Sequence, residues 1–252
     1  MSVPPLFRGL FDDASVFPPG DLPLGEAVPA HRGHRLAWYA DSVGPFLCGA
    51  GRAGELAALR PEFPVALVLP PGGEYVPVPG LDVVGVEVAA TVLPRLPAGV
   101  PGCLELPYGE DLFKLLDQLA DTAHRAKFRT GGLTADAFPT VAELAAALTA
   151  CAERGVPYKC TAGLHHAVRH TDPVTGFEHH GFLNVLLAAA DPDRAAEALG
   201  ERSGTALASA VGSLTDRQAA LARLSFTAFG TCSIAEPLAD LAELGLLTQE
   251  NR

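Results

Sequence analysis

The sequence predicts an α/β fold: a (β/α)8 (TIM) barrel in which residues 1–252 form a single domain, with an insertion between the seventh and eighth strands. Three observations predict it. Short, near-continuous apolar runs of β type recur along the chain; each gives way to a turn signal and then to a stretch of helical period; and the alternation continues for 252 residues, the length such a barrel needs. An open doubly wound sheet is the competing arrangement. Its G-x-G-x-x-G fingerprint is imitated by Gly49-Ala50-Gly51-Arg52-Ala53-Gly54, but where an acidic residue is required about 20 positions on the chain has the Pro-rich Val68-Leu69-Pro70-Pro71.

The predicted strands are residues 6–12, 45–48, 65–69, 83–88, 102–106, 126–130, 157–161 and 224–230. Predicted helices between them include 51–59, 111–123 and 141–154. The last is announced by Phe138-Pro139-Thr140, with Thr140 as N-cap and Glu143 at the capping-box position. Residues 165–223 exceed what one crossover helix needs, and 181–190, followed by Asp191-Pro192, reads as a helix with further helical turns after it. Asp172-Pro173-Val174-Thr175-Gly176 breaks any helix, so the histidine-rich stretch around it is expected to form a hairpin-like excursion over the barrel mouth.

Composition narrows the function classes. With 48% hydrophobic residues and a mean hydropathy of +0.23 the chain buries a sizeable core, which excludes a disordered or fibrous protein. Eighteen Lys+Arg against 29 Asp+Glu leave a net charge of −11, which repels a nucleic-acid backbone. Five scattered cysteines (Cys48, Cys103, Cys151, Cys160 and Cys232) suggest neither a disulfide framework nor a zinc ribbon, but a reducing compartment. The N-terminal stretch has no basic lead, and no run approaches the roughly 18–20 apolar residues of a membrane span. A cytoplasmic protein acting on a small-molecule substrate is expected, without nucleic-acid or membrane partners; a homo-oligomer stays open.

Only three of the 18 basic residues are lysines: Lys114, Lys127 and Lys159. In a chain that otherwise uses Arg for positive charge, a retained lysine points to what Arg lacks, an amine able to lose its proton and act as a nucleophile. Strand alternation puts Lys127 and Arg129 on one face of the sixth strand, and Lys159 and Thr161 on one face of the seventh. Two lysines then point into the lumen from adjacent strands, a costly arrangement unless the ammonium groups are paired or deprotonated. A cation beside a second amine lowers that amine's pKa and readies it to attack a carbonyl. Lys114, on an amphipathic helix, is expected to be solvated.

These residues resemble the deoxyribose-phosphate aldolases and related class I aldolase barrels, over strands four to eight. The family's K-x-x-T-G is matched by Lys127-Phe128-Arg129-Thr130-Gly131, and its K-x-S-G-G, more loosely, by Lys159-Cys160-Thr161-Ala162-Gly163. Leu81-Asp82-Val83-Val84 is similar to its D-V-V strand, and Phe229-Gly230-Thr231-Cys232-Ser233 to its phosphate-binding F-G-x-S-S. The resemblance implies an imine on Lys127, a second lysine at Lys159, proton transfer by Asp82, and an anion held at the end of strand eight. Arg129, Ala162 and the insertion depart from the family pattern.

The leading expectation is therefore a Schiff-base lyase that needs no cofactor beyond its lysine. Lys127 and Lys159 carry the amine chemistry, and Asp82, Glu105, His165 or His166 move protons. Arg129, Thr130, Gly131, Gly132, Thr161, Gly163, Gly230, Thr231, Ser233 and Asp12 bind a small carbonyl substrate with an anionic group. Asp12-Asp13 ends in a turn that either closes over the site or is held by its own side-chain bonds. Two alternatives stand beside this. In one, His165, His166, His170 and Glu87 hold a divalent metal in a hydrolase, isomerase or lyase; in the other, the barrel binds a small anion without turning it over. For Arg129 the competing role is an ion pair with Glu87 or Glu105, and for the lysines it is a structural salt-bridge network.

Overall fold

The computed structural model describes residues 3–89, 96 and 99–248. In chain order the strands are β1 (Phe11–Asp13), β2 (Val43–Gly49), β3 (Pro64–Val68), β4 (Asp82–Ala89), β5 (Gly102–Glu105), β6 (Arg125–Arg129), β7 (Tyr158–Thr161), the short β8 (His170–Thr171) and β9 (Glu178–His179), and β10 (Phe226–Thr231). The helices are α1 (Leu24–Leu36), α2 (Ala53–Ala58), α3 (Asp111–Leu119), α4 (Val141–Arg154), α5 (Phe182–Ala190), α6 (Ala195–Gly200), α7 (Gly204–Gly212), α8 (Asp216–Ser225) and α9 (Ala235–Glu243). Eight parallel strands close into a barrel in the order β1-β10-β7-β6-β5-β4-β3-β2, and β8 and β9 form a separate antiparallel pair. This is the predicted fold, with the predicted hairpin in the insertion. No described helix is long and apolar enough to cross a membrane.

The elements follow from local chemistry. α4 begins where Thr140 accepts from the Glu143 backbone N–H while the Glu143 carboxylate accepts from Thr140, and it ends at Gly155, whose φ of 62° is left-handed. α3 buries Leu112, Leu115, Leu116 and Leu119, a stripe at i, i+3, i+4 and i+7, each leucine contributing about 1.5–3 kcal/mol on full burial. α5 is apolar all round and therefore needs cover on every side; α6, α7 and α8 pack against it, which accounts for the length of the insertion. Its one polar residue, Asn184, is buried and satisfied, donating to Ala198 and Glu201 carbonyls and accepting from the Arg169 N–H at 2.9 Å.

Several boundaries differ from expectation. Residues 5–7 form a 3₁₀ turn, so the first strand starts at Phe11 and not at Leu6. α3 stops at Leu119 instead of reaching 123, with Asp121 in the left-handed region, and the helix expected over 51–59 is a 3₁₀ turn followed by α2. α1, which is not among the predicted helices, contains Pro29 and buries Leu24, Ala27, Val28 and His31 on one face.

Candidate active site

Strand alternation sorts the charged residues into the lumen. In β6, Lys127 points inward while Phe128 lies in the core behind the sheet, against Tyr108 and Tyr158. Lys127 and Lys159 are directly paired in the β6–β7 register. Two ammonium groups placed so close repel unless something lies between them, and Glu87 of β4 does. One of its carboxylate oxygens sits 2.9 Å from the Lys127 Nζ, and the other binds the Lys159 Nζ. Lys159 also donates to Asp12 of β1, and Lys127 reaches Glu105 of β5 at 3.0 Å. Glu105 in turn accepts from the Arg129 guanidinium at 2.8 Å. The result is a chain of alternating charge, Asp12, Lys159, Glu87, Lys127, Glu105, Arg129, running from the barrel interior to its exposed end.

Lys127, Lys159, Glu87 and Asp12 are each at most 4% exposed, while the Arg129 side chain is about half exposed at the carboxyl end of β6. Burial works against charge on both lysines, but their carboxylate neighbours outweigh it: Glu87 and Glu105 raise the Lys127 pKa, and Asp12 and Glu87 raise that of Lys159. Burial pushes the Glu87 carboxyl up, yet Lys159 and Lys127 together bring it down to about 2. Burial also raises Asp12, which Lys159 offsets only in part; Glu105 is held low by Lys127 and Arg129 in spite of its own burial. Lys159 does lower the Lys127 pKa, as expected, but it is outweighed: the carboxylates between and around the lysines raise both above the ordinary lysine value.

Asp12 and Asp13 are consecutive on a strand and face opposite ways. Asp12 enters the lumen, whereas Asp13 accepts from the Ser15 backbone N–H and lies 2.8 Å from His31 of α1, behind the sheet. The turn after β1 is thus held by Asp13, and Asp12 belongs to the ion cluster. Asp82 opens β4, is exposed and pairs with Pro64 at the amino end of the barrel. It lies five positions before Glu87, about 16 Å along a strand, so the expected proton-transfer role for Asp82 is corrected; the acids that reach the lysines are Glu87, Glu105 and Asp12.

The glycine loops after β6 and β7 abut. A Cβ on Gly131 would fall 2.7 Å from the Gly163 Cα, and one on Gly163, where φ is +74°, would fall 2.6 Å from the Thr130 carbonyl oxygen. Thr130 is buried and donates its hydroxyl to the Ala162 carbonyl. Gly132 packs against Ala137, and Gly230 pairs with Thr161 and Asp12 across the barrel wall. Thr231 and Ser233 lie just before α9, with the Thr231 hydroxyl donating to the Ser233 carbonyl and the Ser233 hydroxyl accepting from the Glu236 N–H.

The histidines take other partners. His165 binds Glu236 at 3.0 Å and His166 binds Asp240 at 3.2 Å, both on α9, and among the described residues neither hydrogen-bonds to a lysine. His166 meets His170 edge-on with ring centroids 5.0 Å apart, and His170 stacks on His179 at 5.1 Å. Among the described residues no group of three or more His, Cys, Asp or Glu side chains is arranged to hold a metal ion, so His165, His166 and His170 do not come together with Glu87 as a metal site. His31, which holds Asp13 behind the sheet, and Arg125, which lowers the Asp12 pKa, were not singled out in the sequence; the i, i+3, i+4, i+7 pattern of α1 carried the signal for His31.

The fold and the site together define a (β/α)8 barrel with a buried lysine–carboxylate cluster beneath its carboxyl end. Comparisons of the chain with protein-family models, with curated proteins and with solved structures give no match.

Proposed function

We propose that the protein is a lysine-dependent enzyme of the lyase class, forming an imine between Lys127 and a small carbonyl substrate that carries a carboxylate or phosphate. The observation that supports this best is the shared carboxylate of Glu105, which bridges the Lys127 ammonium and the half-exposed Arg129 guanidinium. Arg129 is a fork for an anion. When a substrate anion takes its place on Arg129, Glu105 loses one of the two cations that hold its pKa down and becomes the base for Lys127. One proton passes from the Lys127 ammonium to Glu105, and the neutral amine adds to the carbonyl carbon. Glu105 returns that proton to the alkoxide oxygen, then takes a second proton from the nitrogen and passes it to the resulting hydroxyl, which leaves as water; the third proton of the ammonium stays on the nitrogen of the protonated imine. Lys159, neutralised by Asp12 and Glu87, fixes Glu87 in place.

Intact mass after borohydride reduction with pyruvate, glyoxylate or dihydroxyacetone phosphate, followed by peptide mapping, tests this. A reduced adduct on the Lys127 peptide that is absent from Lys127→Arg is the expected result. No adduct on any lysine removes the imine reading. It would leave the barrel as a binder of small anions, a reading favoured by the half-exposed Arg129 guanidinium at the carboxyl end of β6.

A further inference from the structure

The ion cluster has a second side. Beneath it, toward the amino ends of the strands, lies a cavity of about 260 Å³. Its outer wall includes Gly9, Pro101 and Arg125, which precede or open β1, β5 and β6, and all three are partly exposed. Its inner wall is formed by Asp12, Glu87 and Lys159, while Lys127, Glu105 and Arg129 take no part in it. Small residues keep it open: Ala66 of β3 and Gly85 of β4 stand where larger side chains would fill the lumen.

Asp12, one residue of that inner wall, is only half partnered. Asp12 binds Lys159 through one carboxylate oxygen; the other is buried beside Gly44, with no hydrogen-bond partner in the protein. An unpaired carboxylate oxygen in a dry interior is costly. The cavity is lined mostly by apolar surface, with Asp12, Glu87, Lys159 and Arg125 as its charged groups, and it far exceeds the ~10–15 Å³ that one water needs. Arg125 supplies further donors, and the Cys103 thiol, pushed up to about 11 by burial, stays neutral there.

We propose that this cavity is a hydrated proton port, in which water entering at the amino end of the barrel reaches the Asp12–Lys159 pair that forms its inner wall and exchanges protons with Lys159. Lys127 and Glu105 exchange instead with the mouth, so the cluster communicates with solvent from two ends. The inference stands on the cavity and its lining and is independent of imine chemistry.

With three lysines in the chain, each ammonium of protein labelled with ¹⁵N-lysine can be followed separately by NMR, and its hydrogen exchange with water measured. Ala66→Leu fills the cavity. Gly85→Ala narrows it gently, because the added Cβ would lie 3.7 Å from the Pro101 carbonyl and 3.9 Å from the Ala66 Cβ, ordinary contact distances. Lys159 exchange is expected to slow about tenfold in the first variant and about threefold in the second, with Lys127 unchanged, as solvent access governs exchange of a buried group. An unaltered Lys159 rate in Gly85→Ala overturns the proposal, even if Ala66→Leu does not fold. Equal slowing of Lys127 also overturns it, since both lysines would then share one route. Borohydride trapping does not read the solvent route, so the outcomes of the two experiments are separable.

Discussion

Glu87 is shared by two lysines, and its removal leaves the cluster with one uncompensated positive charge, Lys159 keeping only Asp12 and Lys127 only Glu105. Glu87→Gln is expected to destabilise the protein by about 3–5 kcal/mol, the range for breaking a buried pair and leaving its charge uncompensated, measured as a fall in the urea midpoint. Adding Lys159→Met should recover part of that loss by removing one stranded cation; a double variant no more stable than the single one would show that the cluster does not govern stability in this way. At this scale the sequence was half legible. Alternation alone places Lys127 and Lys159 in the lumen and makes Glu105 a partner for Arg129. The pairing of Asp12 with Lys159 spans 147 residues and depends on how the closed barrel staggers its strands, which no local spacing encodes. Asp82 shows the opposite failure. A three-letter match to a motif does not say where in a strand it falls, and here it falls at the wrong end.

Elements were legible where their chemistry is local. The start of α4 was readable from Thr140 and Glu143 because a cap is decided within four residues. Thr140→Ala is expected to cost about 1 kcal/mol, seen as a lowered thermal midpoint. α1 is less legible: Pro29 inside it counts against a helix, and what offsets this is burial of Leu24, Ala27, Val28 and His31, a tertiary effect. The first strand was started too early because an apolar run looks the same in a 3₁₀ turn as in a strand. The loops after β6 and β7 behave as one unit, since Gly131 and Gly163 each occupy the space a side chain on the other would need. Gly163→Ala should therefore cost about 1–3 kcal/mol from its left-handed backbone alone, and more from the clash with Thr130. A variant as stable as the parent in thermal denaturation would show that the loops separate freely.

Over the whole molecule, stability should fall with acid in two stages. His180 is buried, and chiefly for that reason its pKa lies near 4, against 6.5 for the free side chain; its Nε2–H donates to the Pro139 carbonyl at 2.8 Å. Between those values the unfolded chain takes up a proton that the folded protein refuses. Stability is thus complete above pH 6.5 and declines by about 3 kcal/mol as pH falls toward 4. Glu87, held near 2 against 4.5, acts lower down: its contribution is present above 4.5 and is lost as pH falls through 2. Urea midpoints at pH 7, 5.5 and 4.5 should show the first decline in the parent and a flatter profile in His180→Gln. The burial of two of the three lysines has a separate consequence for anyone handling the protein. Lys114 is exposed on α3, whereas Lys127 and Lys159 are shielded. An acylating reagent should consequently modify one lysine per intact molecule, and the slow appearance of label on the other two would clock how often the barrel opens.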